Sequence, residues 1–182
     1  MEVAEAEFKR MLIGMLPRLR RFAHALARDA DAGEDLAQSA AAHALKQRAL
    51  YTPGLRFDAW LFQLTRNLWI DQLRRRRARP EITDSEAAMR AADARSFTSA
   101  PSTEQHALAA RAMKAFQQLP DALRETAALV MIEGFTYQET ATTLGVPIGT
   151  VMSRVARARA AIARALFGEA AREQDGRERY DH

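Results

Sequence analysis

Two groups of side chains in this sequence have types and spacing suited to binding a polyanion. Thr150, Ser153, Arg157 and Arg164 form the first, on one side of a helix with Arg154 flanking them, in a stretch without any acid between Thr140 and Gly168, so that Arg154, Arg157, Arg159 and Arg164 stand unopposed. Hydroxyls and guanidinium groups on one helical face can donate to base edges and phosphates in a DNA major groove; the plainer alternative is a basic, solvated face. The second group is Arg66-Asn67, Trp69 and the run Arg74-Arg75-Arg76-Arg77. A guanidinium is a planar fork that donates twice to one phosphate, although arginines at a helix end also simply favour the negative carbonyl pole. A third set, Glu34, Asp35 and Gln38, is acidic and amide-bearing. Asp35 and Gln38 are three residues apart, hence on one helical face and open to a partner's arginines, unless the acids serve only the positive end of their own helix.

Chemistry of other kinds finds no support. Cysteine is absent, which excludes disulfides, thiolate metal sites and a cysteine nucleophile. His24, His43, His106 and His182 have no metal-ligand spacing, and no glycine-rich phosphate loop occurs. No catalytic residue, metal or cofactor is expected. No apolar run approaches the roughly 18 residues of a membrane span, and residues 1–20 carry acids where a signal peptide would be basic and then apolar. The expectation is a soluble, cytoplasmic protein without membrane insertion.

The elements that would position these groups are helices. Alanine, leucine and arginine are abundant, and strand signals are few. Phe8, Leu12, Met15, Leu19, Phe22 and Leu26 recur at threes and fours, which predicts a helix over Glu5–Arg28. Further helices are expected from Glu34 to about Leu50, with Asp31 or a neighbour as cap, and from Phe57 to Arg77 after the turn Tyr51-Thr-Pro-Gly54. The Phe57 helix is apolar nearly all round: Phe57, Trp60, Leu61, Leu64 and Leu68 make one stripe, with Phe62, Trp69 and Leu73 opposite. Such a helix is buried on several sides or offers aromatics to a partner. Later helices are expected near Gln105–Gln118, Asp121–Glu133, Thr136–Leu144 and Ile148–Phe167. Thr136 and Glu139 form a capping box, Gly145 occupies a sharp turn, and Pro147 suits the next first turn. Val151, Val155, Ala158 and Ile162 give that last helix its apolar stripe. The pair is a helix-turn-helix.

Charge and composition divide the chain of 182 residues. Residues 1–80 hold 15 basic and 9 acidic residues, residues 81–106 hold 2 and 5, and residues 107–182 hold 10 and 9. The acidic middle, with Ser85, Ser96, Thr98, Ser99, Pro101, Ser102 and Thr103, has few large apolar residues and reads as a linker, with a short helix feasible around Ser85–Arg95. The expected fold class is all-α: two small helical domains, 1–80 and 107–168, joined by a flexible linker at 81–106 and followed by a disordered tail at 169–182.

The motifs together resemble a known family. Leu119-Pro120, Arg124, Gly134-Phe-Thr-Tyr-Gln-Glu139, Leu144-Gly-Val-Pro-Ile-Gly-Thr-Val151, Ser153-Arg154 and Arg157-Ala-Arg159 resemble the promoter-reading domain of bacterial sigma factors, best the extracytoplasmic-function (ECF) group of the sigma-70 family. Arg28-Asp-Ala-Asp-Ala-Gly-Glu34-Asp35-Leu36-Ala-Gln38 resembles the sigma helix that docks on core RNA polymerase. Phe57-Asp-Ala-Trp60-Leu61, Arg66-Asn67, Asp71 and Arg74–Arg77 resemble the helix that melts the −10 element, with a base-capturing loop at about Leu50–Arg56. The resemblance implies an RNA polymerase sigma factor, non-catalytic itself, that directs promoter-specific initiation. Glu34, Asp35 and Gln38 would meet core polymerase. Trp69, Arg66, Asn67, Arg74 and Arg75 would meet −10 DNA, and Thr150, Ser153, Arg154 and Arg157 −35 DNA. By family habit an anti-sigma factor is expected. Met152 stands where the family usually has lysine or arginine, and Thr140 replaces a common isoleucine. Ala32, Gly33 and Ser39 stand where Asp, Ala and Glu are usual. The alternatives are a stand-alone helix-turn-helix regulator, which needs no polymerase-docking face, and a sigma-like decoy for an anti-sigma protein, which needs no basic DNA face.

Overall fold

The computed structural model describes residues 4–78 and 103–168, in seven α-helices with no strand among them. In the amino-terminal group, α1 is Glu5–Leu26, α2 is Ala30–Lys46 and α3 is Phe57–Ala78. In the carboxy-terminal group, α4 is Thr103–Gln117, α5 is Asp121–Ala127, α6 is Tyr137–Leu144 and α7 is Ile148–Phe167. The feasible helix at 85–95, most of the linker and the tail lie outside the described residues.

The apolar periodicity of α1 is realised: Phe8, Leu12, Leu19, Phe22 and Leu26 are all buried. The helix runs through Pro17, which sits on its exposed side. Helix α2 begins four residues before the expected Glu34. The Asp29 carboxylate accepts from the Ala32 amide at 3.3 Å and caps the helix there, rather than Asp31. It also ends early, and a 3-10 turn, Arg48–Leu50, completes the segment. The close crossing of α1 and α2 explains one departure from the family pattern. A Cβ on Gly33 would stand 2.5 Å from His24 Nδ1, so the alanine usual there would collide unless the imidazole moved.

Helix α5 is continued by a π-helical turn, Ala128–Ile132, where a single α-helix to Glu133 was expected. The wider turn lets Ala128 and Leu129 stay buried and ends with Glu133 turned into the protein.

Buried side chains of both groups form one continuous apolar cluster, from Phe8, Leu19 and Phe22 through Phe62 to Leu119, Leu129, Phe135 and Ala158. Two small domains, each with its own small core, were the expectation from charge and composition. Phe62 of α3 meets Phe135, ahead of α6, at 5.6 Å between ring centroids, and Phe22 of α1 at 4.7 Å. A second, small cluster of Ala141, Val151 and Val155 fastens α6 to α7. Small Ala141 permits that close approach. Thr140 is fully buried, and its hydroxyl has no hydrogen-bond partner, whereas an isoleucine would present no polar atom there.

Candidate nucleic-acid interface

The helix-turn-helix is built from local rules. Thr136 Oγ1 accepts from the Glu139 amide at 3.2 Å, and the Glu139 carboxylate accepts from the Thr136 amide at 2.8 Å, so the capping box is complete. Gly145 ends α6 at φ 65° and ψ 38°, a left-handed conformation that costs glycine nothing. Helix α7 then starts at Ile148, with Pro147 as the residue just before it. Val151, Val155 and Ala158 are buried, which turns Ser153 and Arg157 outward. Ser153 Oγ donates to the Thr150 carbonyl at 3.0 Å and Arg157 Nε to the Ser153 carbonyl at 3.4 Å, while Thr150 is half-buried. Arg154 points the other way, toward α5, with Nη1 at 3.5 Å from Glu125 Oε1.

On α3, Arg66 also turns to Glu125, with its Nε donating to Oε2 at 2.8 Å. One carboxylate therefore holds an arginine from each of the two expected DNA-contacting sets. Asn67, Arg74 and Arg75 are exposed, with Arg74 near Asp71 at 3.6 Å. Trp69 is only 7% exposed; its Nε1 has no hydrogen-bond partner, and the Arg76 guanidinium lies 6.0 Å from its ring centroid. A cleft between α2 and α3 lies beside Trp60, lined by His43, Gln47, Gln63 and Asn67. The loop after Leu50 is anchored by Tyr51, buried among Phe8, Phe57 and Trp60, while Leu50 and Leu55 stand out in solvent.

On α2, Asp35 and Gln38 are exposed side by side. Glu34 is engaged by Arg20 at 3.1 Å and by Gln38 at 3.3 Å. The acid closest to α1 thus orients its neighbour, and Asp35 faces outward.

The seam between the two helical groups is an array of ion pairs with few counterparts in the sequence reading. Glu133, whose side chain is fully buried, accepts from Arg18 at 2.9 Å and Arg21 at 3.3 Å. Arg18 also reaches Asp58 at 3.1 Å, and Arg56 bridges Asp58 to Glu139 while lying over the Phe135 ring at 4.4 Å. Arg124, 1% exposed, donates to the carbonyls of Ala25, Leu26 and Leu119 at 2.8, 2.7 and 2.9 Å and to Asp121 at 2.8 Å. The first two are end carbonyls of α1, groups that a helix leaves without an internal partner. Arg124 is thus a cap supplied from the other helical group. Glu125, Glu133, Arg18 and Arg56 carried no signal at sequence level, since the pairs Arg18–Glu133, Arg18–Asp58, Arg56–Glu139 and Arg66–Glu125 each join residues 40 or more positions apart.

These pairs shift the acids. Burial would raise the Asp58 carboxyl, but hydrogen bonds and charge from Arg56, with Arg18, hold it below its usual range. Burial likewise opposes, and Arg124 with Arg28 overcomes, in lowering Asp121. Glu139 is lowered first by the Thr136 backbone amide and hydroxyl, then by Arg56. Burial, with the nearby charge of Arg28, lowers the Arg124 guanidinium, although Asp121 partly restores it. Carboxyls depressed in the folded chain contribute stability that is present above their ordinary pKa and lost as pH falls through the depressed one. Acidification from neutral pH to below the ordinary carboxylate range is expected to part the seam while α1–α3 stay helical. Small-angle scattering and far-UV dichroism across one pH series check this; simultaneous loss of compactness and helicity would contradict it.

Residues 12–79 match sigma-70 region 2 and residues 109–162 match sigma-70 region 4. The chain is 33% identical over 160 residues to the ECF RNA polymerase sigma factor EcfG of Rhodopseudomonas palustris, covering 88% of this chain and 85% of that one. It is 30% identical over 166 residues to the RNA polymerase sigma factor CarQ of Myxococcus xanthus, covering 91% and 92%. Among solved structures, the sigma factor RpoE of Bartonella quintana, crystallised with the anti-sigma factor NepR, superposes with a TM-score of 0.74 at 32% identity, over 90% of this chain and 98% of that one.

Proposed function

The chain belongs to the extracytoplasmic-function group of the bacterial sigma-70 family and is an RNA polymerase sigma factor for transcription initiation; from that premise we propose how its helices divide the work. Residues 1–80 bind core polymerase and the −10 element, residues 107–168 bind the −35 element, and 81–106 link them. Asp35 and Gln38, exposed on α2, dock on core polymerase, with Glu34 orienting Gln38. Arg66, Asn67, Arg74 and Arg75 follow the −10 strand. Trp69 supports that surface from within rather than stacking on a base, because it is buried. Thr150, Ser153, Arg154 and Arg157 serve the −35 element. The observation that carries this reading is the acid-free α7, seated by a capping box and a left-handed glycine so that Ser153 and Arg157 face outward.

Polymerisation chemistry belongs to the polymerase, so the chain is proposed as a non-catalytic specificity subunit acting in the cytoplasm, where polymerase meets DNA. An anti-sigma protein is proposed as a further partner, on the precedent of the Bartonella RpoE relative, which was solved bound to one.

Purified chain mixed with sigma-free core polymerase is expected to form a complex on size exclusion that initiates from genomic fragments sharing paired upstream elements. DNA binding without polymerase association would favour a stand-alone regulator; neither activity, with tight binding to a separate regulatory protein, a decoy. Asp35→Arg puts a like charge against the arginines that an acid would meet. It is expected to weaken polymerase association at least tenfold, with the helical content unchanged. Equal affinity would remove α2 from the docking surface.

A further inference from the structure

The amino-terminal half of helix α7 carries two large apolar side chains that its own packing leaves in solvent. Met152 is 53% exposed and Ile148 is 43% exposed. They are four residues apart, so they lie within about 40° of each other on the helix surface. Ser153 and Arg157 form a similar pair, roughly 100–140° further round. Between the two pairs lie Gly149 and Ala156, both exposed and too small to hold the helix away from a partner. A Cβ on Gly149 would meet nothing within 4 Å. The outward surface of α7 is therefore divided: hydroxyl and guanidinium on one flank, thioether and branched alkyl on the other. Arg159 continues that flank about two turns beyond Met152 and is also exposed.

We propose that Met152, supported by Ile148, reads the 5-methyl group of thymine in the −35 element. This rests on α7 being the −35-reading helix. In the major groove thymine alone among the four bases presents a methyl, and apolar side chains recognise it by excluding water. Methionine suits that contact, since three rotatable bonds and a polarisable sulfur let it settle against a small apolar target. Charge complementarity commits the face to DNA rather than to a protein groove, because no acid occurs anywhere on α7 while Arg157, Arg159 and Arg164 are exposed along it. Ser153 and Arg157 would take the acceptor edges on the other flank. The side chain that departs from the family's usual lysine or arginine thus exchanges a polar contact for a methyl contact and tilts preference toward A·T pairs at its position.

The test uses holoenzyme assembled from the full chain and core polymerase. Promoter fragments are first selected from a pool randomised across the −35 element. Each −35 thymine in the winning sequence is then replaced singly by deoxyuridine, which removes only the methyl. Loss of one buried methyl contact predicts weakening of about fourfold at one or two positions. In Met152→Ala that penalty should vanish, thymine and deoxyuridine binding alike, and Met152→Arg should shift selection from thymine toward guanine. No deoxyuridine effect in the parent protein, the same effect in Met152→Ala, or selection of a −35 element without thymine would each overturn the proposal while leaving α7 as the reader. Selection showing no −35 preference at all would instead overturn the −35 reading, and this inference with it.

Discussion

Arg124→Met is expected to lower the melting temperature by about 6–12 °C and to let the two helical groups separate. The parent guanidinium is 1% exposed and feeds the Ala25, Leu26 and Leu119 carbonyls together with Asp121. Methionine fills much of the same volume but donates nothing, so the Ala25 and Leu26 carbonyls at the end of α1 remain buried and lose their Arg124 partner, while Leu119 keeps Arg28 at 3.4 Å. Leaving such groups unsatisfied costs about 1–3 kcal/mol each, and a buried charged network broken from one side loses about 3–5 kcal/mol. For a chain of this size about 3 kcal/mol corresponds to the shift given above. The charge itself is no stabilising asset, since burial already disfavours it. Removing it and its acceptors together would therefore be mild, but three of the four acceptors are backbone and stay. Differential scanning fluorimetry measures the shift, and small-angle scattering the separation. A variant melting within about 2 °C of the parent would mean that water replaces Arg124 at the end of α1.

Arg157→Ala is expected to reduce −35 affinity of the holoenzyme by about 5- to 150-fold, the range for a specific guanidinium–base contact of about 1–3 kcal/mol. Association with core polymerase should be unaffected, because Arg157 is exposed on α7, away from α2 and from the seam. The same variant distinguishes two kinds of contact. If Arg157 meets a base, relaxed preference at one −35 position accompanies the loss, and the salt dependence is little changed. A phosphate contact instead weakens all sequences alike and lowers the salt slope by about one. Filter binding over a salt series on matched and single-substituted promoters separates these. Loss of polymerase association with unchanged DNA binding would overturn the proposed division of labour.

Arg66 and Arg154 behave differently from Arg157 because of where they are held. Both sit on Glu125, but only Arg66 reaches it across the seam and is held from phosphate until the seam opens; Arg154 is paired within the carboxy-terminal group, α7 to α5. The spacing of residues on α7 places Thr150, Ser153 and Arg157 by helical angle alone. Angle alone also left Arg154 flanking them, whereas its ion pair with α5 turns it inward.

What this sequence determines by itself is whatever depends on neighbours a few residues away. The helix starting at Phe57, the Thr136–Glu139 capping box, the left-handed turn at Gly145 and the helix Ile148–Phe167 all follow from short-range sterics, capping and periodicity, and all are present as expected. Local rules also misplace the start of α2, since two nearby acids could each cap it and only the geometry of the chain entering the helix selects Asp29. The inward turn of Trp69, the need for Gly33 beneath His24, and the seam of Arg18, Arg56, Arg66, Arg124, Glu125 and Glu133 were decided by tertiary structure. Each depends on a partner brought close by packing of distant helices. Buried charge is admissible only where such partners converge, and no local pattern in the chain announces that convergence.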